Sequence, residues 1–225
     1  MKFNLLTIFP NIFDSYLNES ILKRAQNKKA AEFKVHNLRD WTDDKHKTVD
    51  DAPYGGGAGM LMKIEPLYKA LEDIKKTNKK ANPKKRKISL MSAGGKKWTQ
   101  ALAQQYSKLD ELILICGRYE GADARLNKFI DEEISVGDYI LTGGELPALT
   151  IIDSIVRLLP GVLGNSQSIV EESHSQSGIL EYPQYTRPEI FIARGKKYPV
   201  PKVLLSGDHK KIKEWQNKQK KKARD

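Results

Sequence analysis

Residues 111–160 read ELILICGRYEGADARLNKFIDEEISVGDYILTGGELPALTIIDSIVRLLP. The run Glu111–Cys116 is short, apolar and stopped by Gly117, the pattern of a buried strand. Asp123–Ile130 reads as a helix, Glu133–Val136 as a short strand and Gly137–Glu145 as a glycine-rich loop. Over Leu146–Leu159, apolar residues recur at Leu146, Leu149, Ile152, Ile155, Val156 and Leu159, a helical period that Pro160-Gly161 ends. Twice, then, a strand runs into glycines and on into a helix. That alternation predicts an α/β fold built on a mostly parallel sheet.

Working towards the amino terminus, the alternation continues. Lys2–Phe9 reads as a strand, Ile12 to Leu22 has helical spacing, and Phe33, Val35 and Leu38 mark a second strand. Residues 42–60 are a polar, glycine-rich loop, Ile64–Ile74 a helix, Ile88–Met91 a strand and Trp98–Ser107 a helix. Residues 1–160 are therefore expected to form one domain. Residues 161–178 turn polar and read as a flexible linker, and 179–225 as a small basic C-terminal domain with an amphipathic helix near His209–Trp215.

The chain has 225 residues, 39% of them apolar, and a net charge of +11. It can bury a core, so it is not a disordered polycation. No apolar run approaches the roughly 18–20 residues of a membrane span, so no membrane partner is expected. Cys116 is the only cysteine, which excludes an internal disulfide and a cysteine-built zinc site and suits a reducing cytoplasm. The charge is segregated: residues 73–97 carry +9, residues 98–160 carry −5 and residues 161–225 carry +6. Two basic segments around an acidic middle point to a polyanionic partner, most simply nucleic acid.

Four stretches carry chemistry. Tyr54–Met60 holds four glycines in five positions, is neither a Walker A loop nor a GxGxxG turn, and taken alone reads equally as a flexible loop. Cys116–Gly121 follows a strand, where open α/β sheets bind ligands, and adds Arg118 and Glu120, a ligand-facing charge set or a surface ion pair. Cys116 itself reads as strand-end packing, because no histidine is positioned to make it a nucleophile. Ser135–Pro147 repeats the strand-to-glycine design, and two such loops after neighbouring strands suit an adenine or ribose. In the linker, Glu171, Glu172 and His174 taken alone are solvated side chains without metal-ligand spacing.

In combination and in order, these blocks resemble the bacterial tRNA (guanine-N1)-methyltransferases, of the SPOUT class of RNA methyltransferases. The matching stretches are Ile8–Pro10, Asp51–Met60, Cys116–Gly121, Ser135–Pro147, Asp153–Gly164, Tyr182–Pro188 and Val203–Gly207 with His209. The resemblance implies a deep trefoil knot in the sheet domain, a small, mainly helical C-terminal domain that binds tRNA, and a homodimer with each active site at the subunit interface. It implies S-adenosyl-L-methionine as methyl donor, held by Met91, Ser92, Gly117, Glu120, Val136, Gly137, Asp138, Tyr139, Ile140, Leu141, Gly143 and Gly144. It implies tRNA contacts from Tyr54, Gly55, Gly57, Gly59, Arg187, Ser206 and His209.

The implied reaction is methylation of N1 of the guanosine at tRNA position 37, 3′ to the anticodon. Neutral guanine carries a proton on N1, so a base must remove it, and a fixed donor must meet the charge developing on O6. The family's arginine donor falls on Arg157. Its aspartate base falls on Glu172, with Ser173 and His174 as alternatives. A Mg²⁺ ion would find oxygen ligands in Glu120 and Glu172. Met91-Ser-Ala-Gly-Gly95 departs from the family's usual Leu-Ser-Pro-Gln-Gly, and the basic stretch Lys75–Lys87 has no counterpart role. Its Lys79, Lys80, Lys84 and Lys85 are predicted to touch phosphates. A different SPOUT RNA methyltransferase and a non-enzymatic RNA-binding module are the rival readings.

Overall fold

The computed structural model describes residues 1–77, 82–164 and 172–223. The chain divides into two compact units, Met1–Gly164 and Asn165–Asp225.

The first unit is built on five strands: β1 (Lys2–Thr7), β2 (Glu32–Asn37), β3 (Arg86–Lys97), β4 (Glu111–Cys116) and β5 (Glu132–Ser135). They lie in the order β2-β1-β4-β3-β5, and every pairing is parallel. A parallel sheet needs cover on both faces, and β4 meets that demand with alternation. Leu112, Leu114 and Cys116 belong to one core cluster, and Ile113 and Ile115 to the other. Helices α1 (Ser20–Asn27), α3 (Gln100–Tyr106) and α4 (Glu145–Val156) bury Leu22, Leu102, Ile152 and Ile155 in the first cluster. Helix α2 (Ile64–Thr77) buries Leu67, Leu71 and Ile74 in the second. Each such side chain contributes roughly 1.5–3 kcal/mol. Val162 is wholly buried in the first cluster, so the packing of this unit runs past Pro160.

A polar chain crosses four strands inside this sheet. Asn4 on β1 donates from Nδ2 to Glu111 Oε1 on β4 at 2.8 Å, and its Oδ1 lies 2.9 Å from His36 Nε2 on β2. The other oxygen of Glu111 accepts from Arg86 Nε on β3. Burial, and then Lys34 and Lys2, push the His36 pKa down to about 4.

Three expectations change. The helix expected over Asp123–Ile130 is a 3₁₀ turn, Ala124–Lys128. Asp123 caps it by accepting from Arg125 N at 2.9 Å, and within it only Leu126 is buried, too little apolar surface to hold a full helix. Strand β3 is three times as long as the Ile88–Met91 expected. Its Met91 and Lys96 both face Ile134, so the chain between them bulges out at the cleft described below. The second unit is mixed rather than mainly helical. A hairpin pairs β6 (Ile190–Ala193) with β7 (Lys196–Pro199), and α5 (His209–Gln219) starts at Asp208, whose side chain accepts from Lys211 N at 3.1 Å. Arg194 and Gly195, with φ of 50° and 71°, make the hairpin turn. Arg-Gly is a weak turn signal, and consecutive apolar residues Ile190, Phe191 and Ile192 hide the strand alternation.

Candidate active site

Parallel pairing sets Met91, Cys116 and Ile134 level with one another at the carboxyl edge of the sheet. The segments that follow them line one cleft of about 450 Å³, a size suited to a small ligand. Met91, Ser92, Gly117, Glu120, Val136, Gly137, Tyr139, Ile140, Leu141, Gly143 and Gly144 all line it. Asp138 does not: its carboxylate turns outward to accept from Lys97 Nζ at 2.6 Å.

The glycines are there because backbones meet. Gly144 N donates to Gly117 O at 2.8 Å, and a Cβ on Gly144 would stand 2.7 Å from Cys116 Cα and Gly117 N. A Cβ on Gly95 would stand 2.5 Å from Ile134 N, so the bulge of β3 closes on β5 only without a side chain there. The glycine that ends the family's Leu-Ser-Pro-Gln-Gly pattern is thus required here at Gly95, whatever fills the two preceding places.

The charged side chains lining the cleft are Arg118, Glu120 and Glu133, with no lysine among them. Arg118 is paired not with its neighbour Glu120 but with Glu145, the first residue of α4, at 2.9 Å. Thr7 at the end of β1 donates to the same buried carboxylate at 2.7 Å. Sequence reasoning missed Thr7 and Glu145. The available signal was an acid directly after Gly143-Gly144, at the start of a mostly apolar helix. Cys116 is wholly buried, and burial raises its thiol pKa well above the ordinary value, so it stays a neutral packing group.

The Tyr54–Met60 glycine loop reaches this cleft at one end. Gly55, Gly56 and Gly57 have φ of 87°, 79° and 123°, and Tyr54 is fully exposed. Gly59 packs on Glu120, where a Cβ would come within 2.3 Å of Glu120 Cγ. Glu120 N donates to Met60 O at 3.0 Å and Met62 N to Gly121 O at 2.9 Å, which fasten the loop beside the cleft.

The remaining candidates are spread over both units. Arg157 caps the carboxyl end of α4 and is half-buried. Glu172, Ser173 and His174 belong to the second unit. Glu172 lines a cavity of about 360 Å³ with Ser175, Gln176, Ile179, Leu180, Glu181 and Lys220. Ser173 Oγ accepts from Glu181 N at 3.0 Å. His174 is exposed at φ 65°, and its backbone N donates to Ile179 O at 2.7 Å. Arg187 is exposed, Ser206 Oγ donates to Val203 O at 2.7 Å, and His209 opens α5. Lys79, Lys80 and Glu171 lie outside the described residues. Lys85 faces Asp110 at 3.9 Å. Among the described residues, no group of three or more His, Cys, Asp or Glu is placed to hold a metal ion.

An open parallel sheet whose glycine loops close one cleft at its carboxyl edge defines an α/β domain with its candidate site at the strand ends. Residues 1–224 match the family described as tRNA (Guanine-1)-methyltransferase TrmD, and the chain belongs to that family. It is 52% identical over 219 residues to a tRNA (guanine-N(1)-)-methyltransferase of Dictyoglomus turgidum, covering 97% of this chain and 84% of that one. It is 51% identical over 220 residues to the enzyme of that name from Bacillus pumilus, covering 97% and 86%. The Bacillus subtilis enzyme of that name is 50% identical over 220 residues, covering 97% and 87%.

Proposed function

We propose that this protein methylates N1 of a guanosine in tRNA, at position 37 on the 3′ side of the anticodon, with S-adenosyl-L-methionine as donor. Family membership over nearly the whole chain supports the reaction. The single structural observation that carries the donor is the cleft: glycine backbone from three segments, carboxylates of Glu120 and Glu133, and one cation, Arg118, already paired with Glu145. A sulfonium cation fits that donor set, because the two carboxylates have no cationic partner in the lining other than Arg118, which Glu145 already holds. When bound, S-adenosyl-L-methionine supplies an electrophilic methyl group. Met91, Ser92, Gly117, Glu120, Val136, Gly137, Tyr139, Ile140, Leu141, Gly143 and Gly144 would hold it, without Asp138.

The proton and charge steps fall to this chain's own side chains. Glu172 takes the N1 proton, which frees the nitrogen lone pair, and Arg157 donates to O6 as negative charge moves there. Glu172 and Arg157 belong to different units of the chain. The family resemblance adds to the proposal a homodimer whose active site forms at the subunit interface, and a sheet domain tied in a deep trefoil knot, an exception to the usual avoidance of threaded chains. Tyr54, Gly55, Gly57, Gly59, Arg187, Ser206 and His209 would contact the tRNA, with the second unit gripping it. A Mg²⁺ ion held by Glu120 and Glu172 belongs to the same reading. Two carboxylates leave roughly four of its six places to water or RNA, and no step depends on it. Among the described residues, no helix is long and apolar enough to cross a membrane; the reading places the enzyme with its tRNA in the cytoplasm.

Nucleoside mass spectrometry of a tRNA transcript after reaction tests this. The expected product is 1-methylguanosine, and a ribose-methylated product contradicts it. In single-turnover reactions, Glu172→Gln is expected to slow methylation at least about 100-fold, the usual scale of a lost general base. A wild-type rate would move the base to His174 or Ser173.

A further inference from the structure

The cleft lining contains one cation, and the fold goes to some length to immobilise it. Arg118 Nε donates to Glu145 Oε2 at 2.9 Å, and its Nη2 lies 2.9 Å from the same oxygen. Its Nη1 donates to Thr142 O at 3.2 Å, and the guanidinium lies 4.6 Å from the centre of the Phe9 ring. Gly143 sits so close that a Cβ would stand 2.2 Å from Arg118 Nε. Glu145 keeps 2% of its side chain exposed, and its other oxygen accepts from Thr7 Oγ1, which in turn accepts from Phe9 N at 2.9 Å. Every polar atom of the pair is thus assigned. The arrangement holds the guanidinium against the Thr142–Gly144 loop and pairs it with a carboxylate that does not itself line the cleft.

Two consequences follow from charge. A guanidinium in a cleft wall of low dielectric repels a cationic ligand much more strongly than it would in water. A buried carboxylate within 3 Å cancels that repulsion without itself entering the cleft. We propose that Glu145 is a positioning residue that pins Arg118 and neutralises it, so that the cleft accepts the cationic sulfonium of the methyl donor as well as the neutral thioether left after transfer. This rests on the cleft being the S-adenosyl-L-methionine site. Loss of the Glu145 charge then penalises the donor more than the product, and loss of the Arg118 charge does the opposite. A residue that merely held the loop in place would affect both ligands alike.

The test is calorimetric titration of the full-length protein with S-adenosyl-L-methionine and, separately, with S-adenosyl-L-homocysteine. Glu145→Gln keeps the side-chain shape and removes the charge. It is expected to raise the Kd of the donor about tenfold more than that of the product, a factor worth about 1.4 kcal/mol. Arg118→Gln is expected to weaken both, because the loop loses its pin, while moving the donor-to-product ratio the opposite way. The double variant should bring the ratio back towards wild type. An unchanged ratio in Glu145→Gln overturns the proposal. Should that variant fail to fold, an unchanged ratio in Arg118→Gln does the same. Failure of the wild-type protein to bind either ligand overturns the assignment of the cleft, a separate and recognisable result.

Discussion

Strand β1 takes part in two buried polar networks three residues apart, one at Asn4 and one at Thr7. Each ends in an almost fully buried glutamate held by an arginine: Glu111 with Arg86, and Glu145 with Arg118. The first ties β2, β1, β4 and β3 together within the sheet and is not part of the cleft at the carboxyl edge. The second sits at the carboxyl edge, where its arginine lines the cleft. On the proposed reading, similar chemistry serves stability in one place and ligand binding in the other, set by position along a parallel strand.

The difference can be broken most forcefully at Glu111. Glu111→Gln leaves Arg86 buried against a neutral partner and should destabilise the fold by about 3 kcal/mol, read from urea unfolding. The donor-to-product Kd ratio should not move; a shift comparable with that of Glu145→Gln would erase the distinction. Gly144→Ala tests the other side. A methyl 2.7 Å from Cys116 Cα must push the two cleft loops apart, so the donor Kd should rise at least about tenfold while stability falls by about 1–3 kcal/mol.

A smaller effect comes from pH. His36 has its pKa lowered from 6.5 to about 4, so the unfolded chain binds the proton more tightly than the native one. The stability tied to His36 is complete above about pH 6.5 and is lost as pH falls towards 4. Between pH 7 and 5 the loss should be about 2 kcal/mol. His36→Gln, which retains a donor for Asn4, should flatten that slope without altering the Kd ratio. The smallest effect is expected at the basic segment. Neutralising Lys79, Lys80, Lys84 and Lys85 should lower the salt slope of tRNA binding by less than about 0.9 for each lysine, since Lys85 already faces Asp110. An unchanged slope would return the segment to a solvated loop.

The cleft was legible in the sequence because its walls are local: each glycine run directly follows the strand that positions it. The loops that hold Gly117 and Gly143-Gly144 are placed together for that reason, while their role as donor contacts comes from the family resemblance. Thr7 and Glu145 could not, because their contact joins residues 138 positions apart and leaves no periodic trace. Asp138 was read into the cleft with its loop, yet Lys97, on the bulged end of β3, draws its carboxylate outward. The turn at Ala124–Lys128 resembles a helix in sequence because Ala124, Arg125, Leu126 and Lys128 are good helix formers. Its length was limited by Asp123, which caps it, and by the lack of a second buried residue within it.

The central claim is methylation of one guanosine by this cleft. Its most direct test is methyl incorporation from labelled S-adenosyl-L-methionine into two tRNA transcripts that differ only at position 37. The guanosine transcript should be methylated and the adenosine transcript should remain at background. Equal incorporation into both would contradict the account.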